Sequence, residues 1–184
     1  MMKGRRGTAA AGSIFETGAG FGAVVASEEG VLEVFLPFDC PTREAMAEQL
    51  RTCYPGLQGE SPLSRRAARL LVDYFAGRAV NFDLPVDESR FTPFQREVYA
   101  LVQRIPRGEI LTYGQVAVAL GRPGAARGIG VAMARNPVPI VIPCHRVLGA
   151  GGMMIGYSGP GGIESKRWLL ALEKGATDNS PEQQ

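Results

Sequence analysis

The chain has 184 residues, a formal net charge of +2, 45% hydrophobic residues and three cysteines. That length supports one large domain or two small ones around a real core, and no apolar run approaches the length of a membrane span. An odd cysteine count (Cys40, Cys53, Cys144) argues against a disulfide framework and for a reducing compartment.

Residues 1–12 are basic and then Ala/Gly-rich, without the apolar core of a signal peptide, so they are expected to be a disordered tail of a cytoplasmic protein. Charge is unevenly spread. Residues 91–176 carry ten Lys/Arg against four Asp/Glu, whereas residues 1–90 carry ten against twelve. A basic second half suits a polyanionic partner, although a solvated face would look the same.

Two strands are expected within residues 13–38, Ser13 to Ala26 and Val31 to Phe35, joined by a turn at Glu28-Glu29-Gly30. Arg43 to Cys53 predicts a helix with Ala45, Met46, Leu50 and Cys53 on one side, stopped by Tyr54-Pro55-Gly56. Leu63 to Ala76 predicts an amphipathic helix: Leu63, Ala67, Leu70, Leu71, Tyr74 and Phe75 recur at helical spacing, opposite Arg65, Arg66, Arg69 and Asp73. Val80 to Leu84 is expected to return as a strand. Thus residues 13–88 form a small α/β domain with no chemistry of its own. With one histidine in the chain, Cys40 and Cys53 lack the partners of a zinc site, and no metal is expected.

Thr92-Pro93-Phe94-Gln95 is a capping box with proline at the first helical position. The helix it opens runs to about Gln103, with Phe94, Val98, Leu101 and Val102 inward. Thr112-Tyr113-Gly114-Gln115 opens a second helix to Leu120, and Ala125 to Ala134 is a third, rich in small residues. Helix, Gly-containing turn, helix is a helix-turn-helix pattern, also shared by ordinary helical hairpins. Two features favour a DNA reader: the small residues permit close backbone approach, and Arg127 projects early from the second helix. A glycine-rich loop spans Gly149 to Gly162. Glu164 to Lys174 is the last helix, and residues 177–184 are expected to be a second disordered tail.

The segment Asn136-Pro137-Val138-Pro139-Ile140-Val141-Ile142-Pro143-Cys144-His145-Arg146-Val147 places a thiol beside the only imidazole. Its prolines fix φ and withhold donors, which excludes a regular helix. Ile140, Val141 and Ile142 are expected to form a buried extended stretch. A thiolate is the useful nucleophile, yet a free thiol has a pKa of about 8.5. Neighbouring side chains of an extended segment point apart, so His145 would reach Cys144 through a water. The imidazole then needs an acceptor on its other nitrogen, for which Glu173 is the candidate; its plain alternative is a surface carboxylate.

This run resembles the signature of the O6-alkylguanine-DNA alkyltransferase family. The resemblance covers residues 91–176 well and the first half loosely. It implies an α+β chain: a small ribonuclease-H-like domain, then a mainly helical domain over residues 89–176 with the helix-turn-helix. It implies that Cys144 takes the alkyl group from O6-alkylguanine in DNA, irreversibly and without a cofactor, after the base is flipped; O4-alkylthymine stays open as a second substrate. His145 and Glu173 would activate the thiol, Asn136 would brace the turn, and Tyr113 would act on the departing guanine. Arg127 would replace the extruded nucleotide. Gly114, Ala126, Gly130, Arg122 and Arg135 would meet the duplex from its minor groove. Pro139, Val147, Ile155, Tyr157 and Ser158 would line the base pocket.

The expected partner is therefore alkylated double-stranded DNA, bound by a monomer, nucleoid-associated in a bacterium or nuclear in a eukaryote. Arg122, Ala150 and Ile155 depart from many relatives. Arg122 is expected to add a phosphate contact, and bulky Ile155 bears on the accepted alkyl size. Two other readings compete: a DNA- or lesion-binding helix-turn-helix module without alkyl transfer, and a Cys-His hydrolase, which would need an oxyanion hole.

Overall fold

The computed structural model describes residues 10–154 and 159–175. The chain is α+β and divides into two compact units, Met1–Asp87 and Glu88–Gln184.

In the first unit, strands β1 (Ala11–Thr17), β2 (Gly20–Ala26) and β3 (Val31–Phe35) form an antiparallel sheet in the order β1-β2-β3. The sequence predicted one strand where β1 and β2 stand, and placed Ala11 and Gly12 in the tail. The missed turn is local. Thr17 pairs with Gly20, the Thr17 hydroxyl donates to the Gly20 carbonyl, and the same oxygen accepts from Ala19 N–H, both at 3.1 Å. Gly20 has φ +118°, and a Cβ there would lie 2.5 Å from the Pro37 carbonyl oxygen, so only glycine fits.

Helices cover both faces of this sheet. Helix α1 (Arg43–Cys53) sets Met46 and Leu50 against Ile14, Ala23, Val25 and Leu32. Ala45 is exposed rather than inward, because it lies in the first turn, where its N–H bonds the Thr42 side chain. Helix α2 (Pro62–Phe75) takes the other face, where Phe75 meets Phe15 and the Ser64 hydroxyl bonds Ser13 at 2.8 Å. A Ser61–Ser64 capping box starts α2, and Gly77, at φ +80°, follows its end. The expected strand at Val80–Leu84 does not form. Leu84 N–H turns back onto Phe82, and only Val86 makes an isolated bridge to Val31. Pro85 has no N–H with which to extend a ladder there.

In the second unit, α3 (Pro93–Val102) and α4 (Tyr113–Ala119) start at the two expected capping boxes, Thr92–Gln95 and Thr112–Gln115. Val98 and Val102 are buried and Phe94 and Leu101 half-buried; Tyr99, not expected inward, is 2% exposed and donates its hydroxyl to the Ala132 carbonyl at 2.8 Å. Helix α5 (Ala126–Ala134) follows α4 across a turn containing Gly121 at φ +69°, and it packs on α3 and α4. Short strands β4 (Leu111–Thr112) and β5 (Val147–Leu148) pair in parallel, which ties the start of α4 to the chain just past Cys144. Helix α6 (Gly162–Glu173) closes the described chain, starting two residues before the expected Glu164.

Candidate active site

Asn136 builds the approach to the thiol. Its Oδ1 accepts from Val138 N–H at 3.0 Å, and its Nδ2 donates to the Ile142 carbonyl at 2.8 Å. Ile142 N–H also bonds the Val138 carbonyl at 2.9 Å. The stretch predicted to be extended is therefore a tight turn. Ile140 sits at φ +72°, the one non-glycine residue with positive φ among those described, and is buried with Val138, Val141 and Ile142. A β-branched side chain resists this conformation, so the polar clamp and the apolar packing together must hold it.

Cys144, His145 and Arg146 form one turn of 3-10 helix after Pro143. The Cys144 side chain is buried, and its N–H bonds the Ile142 carbonyl at 2.8 Å. His145 is fully buried, and its Nε2 lies 2.8 Å from Glu173 Oε1. A carboxylate only accepts, so Nε2 carries the proton and a neutral ring keeps its lone pair on Nδ1.

Glu173, from the last turn of α6, is buried rather than at the surface. It accepts from Arg146 Nε at 3.0 Å, from Arg146 Nη2 at 2.8 Å and from Gly108 N–H at 3.1 Å. Arg146 Nη1 also donates to the Ile105 carbonyl at 2.6 Å, and Arg107 to the Leu172 carbonyl at 3.0 Å. These bonds join the end of α6 to the loop after α3. They supply the fixed positive charge and the donors that a buried carboxylate requires.

Burial pushes the Cys144 thiol up; the Asn136 side chain and the Lys166 ammonium pull it down less strongly. Burial lowers the His145 imidazole, opposed by its bond to Glu173. Burial also lowers Lys166, which is 1% exposed and donates from Nζ to the Val147 carbonyl at 2.7 Å. At neutral pH, the resting pair is a protonated thiol beside a neutral imidazole.

Tyr113, the first residue of α4, is half-buried, and burial, then the charge on Cys144, raises its hydroxyl pKa. Gly114 is exposed on the next residue. Arg127, exposed on the second residue of α5, Ala126 and Gly130 share the outward part of that helix, and Arg135 caps its end. Arg122, expected to meet a phosphate, is paired with Glu97 at 2.8 Å and lies over the Phe94 ring at 5.6 Å. A phosphate would have to displace that carboxylate. Pro139 is half-buried and bridges to Ile142. Val147, expected to line a base pocket, is fully buried, its N–H bonded to the Cys144 carbonyl and its carbonyl to Lys166 Nζ, so it offers no surface there. Ile155, Tyr157 and Ser158 lie outside the described residues. Among the described residues no three His, Cys, Asp or Glu side chains gather as a metal site would need.

The sequence reading missed Arg146 and Lys166. Lys166 had a signal: it stands three and seven residues before Leu169 and Glu173, on the buried face of α6. A lysine in an apolar stripe marks a buried cation.

Fold and site define a class: α+β proteins in which a mainly helical second unit carries a buried cysteine beside a histidine–carboxylate pair. The description "6-O-methylguanine DNA methyltransferase, DNA binding domain" matches residues 93–175. The methylated-DNA–protein-cysteine methyltransferase of Salmonella typhimurium is 50% identical over 103 residues, covering 56% of this chain and 59% of that relative. The chain thus spans less than two thirds of the curated relative's length in that match. The crystal structure of Mycobacterium tuberculosis O6-methylguanine methyltransferase superposes with a TM-score of 0.71 at 31% identity, covering 92% of this chain and 95% of that one. A second M. tuberculosis structure, in complex with DNA, gives a TM-score of 0.71 at 32% identity, covering 92% and 94%. The chain belongs to the O6-methylguanine-DNA methyltransferase family.

Proposed function

We propose that this chain reverses DNA alkylation directly, as a methylated-DNA–protein-cysteine S-methyltransferase that acts once. Cys144 is the nucleophile. A water carries its proton to His145 Nδ1, while Glu173 holds Nε2–H and stabilises the imidazolium that results. Sulfur forms a bond to the alkyl carbon as the carbon–O6 bond breaks, and the bonding pair stays on guanine. The thioether has no leaving route, so the protein is consumed. The departing base is the leaving group and no cofactor is required. Tyr113, kept protonated by its raised pKa, donates a hydrogen bond to the departing guanine. Asn136 braces the turn.

The partner is duplex DNA carrying O6-alkylguanine, with O4-alkylthymine as a second candidate. Its alkylated oxygen lies within the base stack, so the nucleotide must be extruded at a cost of about a few kcal/mol. Arg127 fills the gap, and Gly114, Ala126, Gly130, Arg122 and Arg135 approach the minor groove. The pocket for the extruded base draws on Pro139, Ile155, Tyr157 and Ser158. In this reading residues 13–88 are a ribonuclease-H-like domain, and residues 89–176 are the alkyltransferase domain with its helix-turn-helix. The protein works as a cytoplasmic monomer on the nucleoid of a bacterium, or in the nucleus of a eukaryote.

The observation that carries this reading is the buried His145–Glu173 bond of 2.8 Å beginning one residue from a buried cysteine. A structural thiol would need no such relay. The test is mass spectrometry after mixing the protein with an O6-methylguanine duplex. One methyl per protein on the Cys144 peptide, absent in Cys144→Ser, is expected. Restored DNA with unmodified protein would mean a turning-over enzyme, and tight binding without transfer would mean a lesion-binding module.

A further inference from the structure

Helix α5 keeps one side out of its own packing. Ile129, Ala132 and Met133 are buried, whereas Arg127, Val131, Ala134 and Arg135 are exposed. Arg127, Val131 and Arg135 follow at four-residue spacing and so lie along one stripe, about 12 Å from first to last. Val131 is 48% exposed. Its neighbours on the stripe are small: a Cβ added at Gly130 would meet nothing within 4 Å, and Ala134 is the next residue but two. Valine is a poor choice for such a position, because its branched carbon stiffens in a helix and its methyls stay wet. Among the described residues neither Arg127 nor Arg135 has a carboxylate partner. An apolar knob therefore stands between two available cations, a pattern suited to a polyanion with an apolar interior edge.

We propose that Val131 is a specificity-determining residue, pressed on the minor-groove edge of a base pair beside the extruded nucleotide, where it favours A·T over G·C. The inference rests on the duplex reading above. In the minor groove both pairs show acceptors, but only G·C adds the guanine N2 amino donor. A valine methyl displaces water from that amino group and offers no acceptor in return, which leaves a buried donor unsatisfied. Against A·T the same methyls meet no donor, and the narrower groove gives closer contact. The lesion selects the base to be repaired, and Val131 grades the contexts in which repair is fast.

The test is a set of O6-methylguanine duplexes differing only in the pair on the 5′ or 3′ side of the lesion. Single-turnover rates are read as methyl on the Cys144 peptide. At one of the two sides the A·T duplex should react about 3- to 10-fold faster than the G·C duplex. Val131→Thr, nearly isosteric but carrying an acceptor hydroxyl, should bring that ratio close to one, and Val131→Ala should reduce it. Ile110→Ala, at an apolar residue 44% exposed outside α5, should leave it as in the parent protein. Circular dichroism and reaction with free O6-methylguanine check that the variants fold. A parent protein with no context ratio, or a ratio unchanged in both Val131 variants, overturns the inference. Failure of the duplex reading looks different: no duplex then places methyl on Cys144.

Discussion

Two opposite pKa displacements set the working pH of the proposed nucleophile. Burial raises Cys144, so the thiol holds its proton through neutral pH. Burial lowers His145, so the imidazole is neutral at the same pH and has a lone pair to receive that proton. Raising pH through the neutral range changes neither resting state, and transfer by the intact chain should be nearly flat there. It should fall only in acid, below the ordinary imidazole range near 6.5, because His145 protonates later than a free imidazole. In His145→Gln the base is gone and the reaction must wait for free thiolate. The rate at pH 7 should then drop by about 10²- to 10⁴-fold. It should climb nearly tenfold per pH unit toward and beyond the free-thiol range near 8.5, because the buried thiol ionises later still. Stopped-time assays with free O6-alkylguanine between pH 6 and 10 would measure this without DNA. A variant profile parallel to that of the parent chain would remove His145 as the base. The sequence placed Cys144 and His145 together because they are neighbours. It left Glu173 open, because that residue stands 28 positions beyond His145, and only tertiary structure brings Arg146 and Gly108 to the same carboxylate.

Among the elements, those governed by short-range chemistry were the legible ones. Thr92 and Thr112 cap helices with side chains three residues from a glutamine, so those starts can be read from sequence, whereas the Ser61 cap, whose partner is Ser64, was missed. The β1–β2 turn hides in a run of Phe, Val and Gly, and the turn at Ile140 hides in an apolar triplet whose backbone is set by Asn136. Ile140 tests which influence dominates. Glycine at φ +72° would relieve roughly 1–2 kcal/mol of backbone strain. It would also delete a side chain that is 1% exposed, at roughly 2–5 kcal/mol for truncation of a buried isoleucine, and add chain entropy to the unfolded state. Burial wins, so Ile140→Gly should destabilise the protein by about 2–3 kcal/mol. Urea denaturation should show a lower midpoint at unchanged slope. An unchanged or higher midpoint would mean that strain, rather than packing, dominates this turn.

Over the whole molecule, charge is divided by unit. Residues 88–184 carry eleven Lys/Arg against seven Asp/Glu, while residues 1–87 carry nine against eleven. Several of the cations in the second unit are already engaged: Arg96 lies 3.7 Å from Glu88, Arg122 is bound to Glu97, Arg146 to Glu173 and Arg167 to Glu164. Net charge therefore overstates what this unit can offer a phosphate backbone. If Arg122, Arg127 and Arg135 are the main contacts, about three counterions leave the duplex on binding. The logarithm of affinity should then fall against the logarithm of salt with a slope of roughly −2 to −3. Arg122 does not contribute in full, because its guanidinium must first leave a carboxylate at 2.8 Å. That competition gives a sharper prediction than the slope. Glu97→Gln should tighten duplex binding several-fold at low salt and steepen the slope by up to about one, because it frees Arg122 and removes a like charge from the phosphates. Arg135→Ala should weaken binding and flatten the slope. Fluorescence anisotropy across a salt series would separate the three proteins, and reaction with the free base should stay independent of salt in all of them. If Glu97→Gln binds no better than the parent chain, Arg122 belongs to the Glu97–Phe94 contact and its phosphate role is withdrawn.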